Sequence, residues 1–220
     1  MTSSIFRKNL MALTGLFLCF FLVIHLVGNL QLLLPPEKAA VQFNIYSRIL
    51  SGNILIKVIS WVLFAAIILH SVYAVVLTIK NNKASGGKYA YDKRGGASTW
   101  QSRNMGLLGS VIFLFLVMHL KDYWYSYSFT QIPLDSEGNK DLFTIVVTSY
   151  KDIWYVALNI IAFIALGYHL IHGINSAFKS LGAYPKRLAK FLYFSGIALA
   201  VLLTVGFVFI PIFVHLNYHL

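Results

Sequence analysis

Seven histidines occur in this chain of 220 residues, and four of them, His25, His70, His119 and His169, stand inside long apolar runs. The first lies within FFLVIHLVGNLQLLL, residues 20–34. An ionisable ring in hydrocarbon costs free energy unless something there engages it, so such a histidine marks function by default. Neutral imidazole is a good ligand for iron, and iron in a porphyrin held from both sides has no open coordination position. A centre of that kind passes electrons and does little else.

The elements that carry these residues follow from composition. Apolar residues make up 58% of the chain and charged ones only 11%, far from the balance of a soluble domain. Five stretches are long enough to cross a bilayer, at roughly 20 residues per crossing: about 10–34, 54–79, 104–126, 153–178 and 190–213. Their apolar length excludes barrel strands. The expectation is an all-α integral membrane bundle of five transmembrane helices, forming one domain over residues 1–220. The first run follows Arg7 and Lys8 but is too long for a signal peptide and lacks a small-residue cleavage site, so an uncleaved helix is expected. Pro211 is expected to kink or end the fifth helix. The connection QIPLDSEGNKD reads as a turn-rich loop, and PPEKAAVQFNIYSRILSGN as an amphipathic segment at the interface.

The net charge of +11 invites a nucleic-acid reading, which its distribution contradicts. With the N-terminus in the cytoplasm, Arg7, Lys8, Lys80, Lys83, Lys88, Lys93, Arg94, Arg103, Lys179, Lys186, Arg187 and Lys190 lie inside. Lys38, Arg48, Lys57, Lys121, Lys140 and Lys151 lie outside, and so do all acids except Asp92. That asymmetry is the positive-inside pattern, and it also offers a basic face to anionic lipid or an acidic subunit. The single cysteine, Cys19, cannot hold an iron–sulfur cluster and reads as packing. No Gly-rich dinucleotide fingerprint follows a strand-like segment. The substrate end of any redox chemistry must therefore sit on a soluble partner.

Depth pairs the histidines. In the N-inside arrangement His25 and His119 fall roughly 10–14 Å below the outer boundary, at 1.5 Å per residue. His70 and His169 fall roughly 14 Å from the inner one. Each pair suits one flat group across the bundle, with roughly 10 Å between the two layers. Gly28, Ala74 and Gly173 share their histidines' faces and leave room for a porphyrin edge. Phe115 and Tyr123 occupy the corresponding positions around His119. His172, one turn beyond His169, competes for the inner position, whereas His215 and His219 sit at the wet outer end and are expected to ligate nothing. The alternative is that each histidine hydrogen-bonds a neighbouring helix, a familiar use of polar groups in membranes.

With these residues in place, the chain resembles the single-chain, five-helix, dihaem cytochrome b subunits of succinate:quinone oxidoreductases, the succinate dehydrogenases and fumarate reductases. The similarity spans about residues 5–213 and is carried by TGLFLCFFLVIHLVGN, LHSVYAV, MHL and YHLIHGINSAFKSLG. In the last, a ligand histidine, three residues, a glycine and a second glycine after eight more fall on His169, Gly173 and Gly182, which favours His169 over His172. The resemblance implies two haem b groups, the outer on His25 and His119, the inner on His70 and His169. It also implies a flavoprotein and an iron–sulfur protein on the cytoplasmic face, (mena)quinone as the membrane partner, and a bacterial inner-membrane location with the C-terminus outside. A higher oligomer of the complex is compatible with it.

Related dihaem fumarate reductases carry a glutamate two residues before the helix-four ligand, where this chain has Gly167. A proton pathway through that position is therefore not expected. For the quinone, Glu37 and nearby Gln31 are the candidates, the former being the only acid of the first outer connection. Two other readings stand beside this one: the cytochrome b anchor of a hydrogenase or formate dehydrogenase, and a haem-free transporter or structural anchor.

Overall fold

Twenty-six residues without a proline, Ser4–Asn29, form helix α1. The computed structural model describes residues 4–84, 99–183 and 185–218. The polar connection holding Lys88, Asp92, Lys93 and Arg94, together with His219, lies outside the described residues. α1 tightens into a 3-10 turn, Leu30–Leu33, and stops before two prolines. Pro36 is the first residue of α2 (Pro36–Gly52), where its missing N–H costs nothing and its ring fixes φ for the helix. Asn53 then starts α3 (Ile54–Ala84), its Oδ1 accepting the Leu55 and Ile56 amides at 2.9 and 3.3 Å.

Thr99 caps α4 (Trp100–His119) by accepting the Ser102 amide. Directly after His119 the helix widens into a π segment, Leu120–Tyr125, before α5 (Ser126–Phe129). Asp141 caps the short α6 (Leu142–Ser149), and Asp152 caps α7 (Ile153–Ser180). α7 ends in a Schellman turn: Gly182 takes φ +71° and the Ala183 amide reaches back to the Phe178 carbonyl at 3.0 Å. This backbone shape accounts for the second glycine of the helix-four pattern. α8 (Ala189–Asn217) closes the bundle.

Among the described residues five helical stretches, Ile5–Leu33, Ile54–Lys80, Trp100–Phe129, Ile153–Ser180 and Ala189–Asn217, are long and apolar enough to span a membrane. The chain is thus an all-α, multi-pass membrane bundle. α7 is its centre and packs on α1, α4 and α8. Its buried residues, among them Val156, Asn159, Phe163, Gly167, Leu170 and Ile174, recur every three or four positions and line its inward faces. Gly167 lets α8 approach so closely that a Cβ there would collide with the Thr204 hydroxyl. α3, by contrast, exposes Ile54, Leu55, Trp61 and Ile68, as a lipid-facing helix must.

Three features refine the reading of the sequence. Residues 142–149, unassigned there, form α6, and its Phe143, Val146 and Val147 are buried. The QIPLDSEGNKD connection is an ordered hairpin, with Leu134 bridged to Lys140 and Gly138 at φ +75°. Asn44 of α2 pins it, donating to Asp135 and Asp141 at 3.1 and 3.0 Å and accepting the Phe143 amide at 2.9 Å. Pro211 does not end α8, which continues to Asn217. Beyond it, the Tyr218 hydroxyl reaches the Leu32 and Leu34 carbonyls at 2.8 and 2.6 Å, tying the end of the fifth span to the α1–α2 turn.

Candidate functional site

Four helices bring four imidazoles together in two pairs. His25 of α1 and His119 of α4 have ring centroids 5.8 Å apart at an interplanar angle of 87°. His70 of α3 and His169 of α7 are 6.2 Å apart at 64°. Two rings on opposite sides of one metal, with metal–nitrogen bonds of about 2.0–2.1 Å, place their centroids roughly 6.3 Å apart. Both separations lie close to that value.

The two layers are well separated. Gly15 of α1 faces His70, so that a Cβ there would meet Cε1 at 3.3 Å, and Thr14 touches the same ring. Ten residues along one helix from Gly15 to His25 amount to about 15 Å, wider than the roughly 10 Å expected from depth alone.

The surroundings of the pairs differ. The His25–His119 pair sits in an aromatic box: Phe21 stacks on His25 at 5.3 Å, and Phe207 lies 6.0 Å from it. Phe115 and Tyr123 pack on His119 at 5.5 and 5.0 Å. No hydrogen bond reaches either of these two rings from another side chain among the described residues. In the His70–His169 pair, His70 Nδ1 lies 3.2 Å from Thr14 Oγ1, whose own proton goes to the Leu10 carbonyl at 2.8 Å. A hydroxyl has one proton, so Thr14 accepts from His70 Nδ1–H, and the remaining ring nitrogen carries a bare lone pair. His169 Nδ1 is buried with no partner at all. A buried polar atom in that state costs about 1–3 kcal/mol.

This donor set fits an axially held haem iron. Each ring keeps a nitrogen for a metal, and the Thr14 contact has the form in which ligating histidines are usually oriented. Around Gly173, one turn past His169, a Cβ would meet nothing within 4 Å, leaving open space on that face. Gly28 is different: a Cβ there would lie 2.7 Å from the Tyr46 hydroxyl, so its smallness admits Tyr46 of α2. Among the described residues no three His, Cys, Asp or Glu side chains converge as a free-ion cage requires; a porphyrin iron needs two.

The remaining candidates fall elsewhere. His172 is half-buried and makes no ring contact with His70. His215 is engaged by the Tyr150 carbonyl, 2.8 Å from its Nδ1. The Gln31 amide donates to the Gly28 carbonyl at 3.0 Å and so caps its own helix. Glu37 is exposed in the first turn of α2, where a carboxylate complements the helix dipole.

The sequence reading missed a polar cluster beside His119. The π segment turns Asp122 and Tyr123 toward α7, where the Tyr155 hydroxyl donates to Asp122 at 3.0 Å and lies 3.3 Å from that of Tyr123. Lys121 approaches Asp122 at 3.4 Å. Burial first, and the neighbouring Tyr123 hydroxyl next, hold the Tyr150 phenol well above its ordinary range, so Tyr150 stays a proton-bearing neighbour of the cluster. The reading of the sequence placed Tyr123 around His119 and Asp122 among the outer acids, without joining either to Tyr155. An acid set among aromatics, three residues after a candidate ligand, was the available signal. π turns recur at functional sites because they redirect side chains that a regular helix would point elsewhere.

Fold and site together define a multi-pass helical membrane protein with two layers of paired, half-buried imidazoles. No known protein family, curated protein or solved structure matches the chain.

Proposed function

We propose that this protein is a dihaem cytochrome b that anchors a soluble redox enzyme to the membrane and exchanges electrons with quinone, in the manner of the succinate:quinone oxidoreductase subunits it resembles. The observation that carries the reading is the spacing of the imidazole pairs, 5.8 and 6.2 Å between rings contributed by four different helices. His25 with His119 and His70 with His169 would hold the two haems. Haem held in this way supplies reversible one-electron transfer without an open iron position.

The chain's own residues set the conditions. Thr14 fixes the tautomer of His70, Phe21 and Phe207 keep water from His25, and Gly173 leaves the space a planar macrocycle needs. A quinone requires hydrogen-bonding groups close to the electron donor, and the cluster of Asp122, Tyr123 and Tyr155 beside His119 provides them. Among the described residues neither Glu37 nor Gln31 hydrogen-bonds to a ring of either pair. The partners in this reading are a flavoprotein and an iron–sulfur protein on the face nearer the His70 pair, with menaquinone meeting the opposite end. The N-terminus is then cytoplasmic and the membrane a bacterial inner membrane.

The deciding experiment is a reduced-minus-oxidised absorption spectrum and haem quantification of the purified chain. Two b-type haems per chain are expected. Protein that folds and purifies without any haem absorption overturns the proposal.

A further inference from the structure

Half of the cations expected on the outer face converge on one cleft. Arg48 of α2, Lys57 of α3 and Lys140 of the hairpin line a cavity of about 480 Å³ with Ser51, Tyr127, Ser128 and Asn139. No acid lines it. Asp135 and Asp141 of the hairpin are bound to Asn44 and to backbone amides, and Glu137, which precedes the lining residue Gly138, is exposed. Neither Arg48 nor Lys57 has an ion-pair partner among the described residues.

Lys140 is held in place from two directions. Its Nζ donates to the Tyr127 carbonyl at 2.5 Å and stands 5.0 Å from the centre of the Tyr127 ring. The Tyr127 hydroxyl is in turn 3.3 Å from Ser51 Oγ. Three like charges around one hollow repel each other, and an anion between them relieves that repulsion.

Apolar surface adjoins the charges. Ile54, Leu55 and Val58 are exposed around Lys57 on α3, and Leu134 and Phe129 are each 65% exposed on the other side. A cationic hollow at the end of a membrane span, opening onto exposed apolar side chains, matches an amphiphile with an anionic head and acyl tails.

We propose that this cleft binds the phosphate headgroup of an anionic phospholipid, with its acyl chains lying along the exposed face of α3. The site is independent of the imidazole pairs and stands whether or not the chain carries haem.

The test is native mass spectrometry of the full chain, delipidated and titrated with phosphatidylglycerol or with phosphatidylcholine. Phosphatidylglycerol is expected to bind at least tenfold more tightly. Arg48→Gln and Lys57→Gln should each weaken it by about fivefold, the effect of one lost charge near a membrane surface. Lys57→Arg should retain binding, and so should Lys38→Gln, which removes an outer cation away from the cleft. Equal binding of the two lipids, or equal loss in Lys38→Gln, overturns the proposal. Competition by millimolar inorganic phosphate that displaces the lipid completely would identify a free-anion site and overturn the lipid assignment.

Discussion

Thr14 accepts a hydrogen bond from His70 at 3.2 Å while giving its only proton to the Leu10 carbonyl at 2.8 Å, and so decides which nitrogen of His70 is free. Thr14→Val keeps the shape and removes the acceptor. Lost outer-shell partners typically cost 10–100-fold in metal affinity, so the inner haem should bind about tenfold more weakly or shift its midpoint, with the outer one unchanged. Thr14→Ser should behave as the parent. A redox titration of the variants reads both effects.

The ring pairs predict which losses go together. His70→Ala and His169→Ala should each remove the same haem, and His25→Ala and His119→Ala the other, halving haem content in every case. His172→Ala should leave both in place. Haem quantification with low-temperature spectra distinguishes the two centres, and loss of the inner one in His172→Ala alone would reassign the ligand on α7.

Quinone chemistry should respond to the Asp122 cluster. Asp122→Asn and Tyr155→Phe are expected to lower quinol-linked turnover by about 100-fold with haem content intact, the scale of a lost acid–base group. Glu37→Gln, on an exposed turn, is expected to change it less than twofold. The reverse ranking in a quinol oxidation assay would return the site to the first connection.

Asn44 ties α2 to the hairpin and α6 with three hydrogen bonds. Asn44→Ala leaves the Phe143 amide buried without a partner and should destabilise this end by about 2–3 kcal/mol, measurable as a lowered Tm in detergent. The same region carries a pH signature. Burial alone would raise the Asp135 carboxyl, but hydrogen bonds from Asn139, Asn44 and the Glu137 amide outweigh it and hold it below the usual carboxylate range. Its stabilisation is therefore complete above the unfolded value of about 3.9 and disappears as pH falls through the lower folded value. Hydrogen exchange of the hairpin should stay constant from neutral pH down to about pH 4, after correction for the intrinsic rate, and rise only below it.

Gly167 admits no side chain against Thr204. Gly167→Ala should cost about 1–3 kcal/mol by overpacking, and Gly167→Glu should prevent assembly of α7 on α8. Thr204→Ala should partly rescue Gly167→Ala. Expression and thermal stability of the three variants measure this.

Much of this architecture was legible in the linear chain. Apolar run length fixes a span because every backbone amide in lipid must be satisfied within its own helix, a local requirement. Depth follows from the constant rise per residue, so the grouping of His25 with His119 and of His70 with His169 was available from counting. The helix-four glycines were likewise visible, and Gly182 proves to serve the turn that ends α7.

Other features depend on which helix stands beside which, and no local period encodes that. Gly28 shares a face with His25 in sequence, yet α2 folds back and sets Tyr46 against it. The partner of Asp122 lies 33 residues away on α7, and only the packing of α4 on α7, with the π turn after His119, brings the Tyr155 hydroxyl to it. The basic cleft draws Arg48, Lys57 and Lys140 from three separate elements. Hydropathy and helical rise are properties of the chain taken residue by residue, and they determined the bundle and the depth of its histidines. The facing of side chains across helices arises from packing among distant segments, and only the tertiary structure decided it.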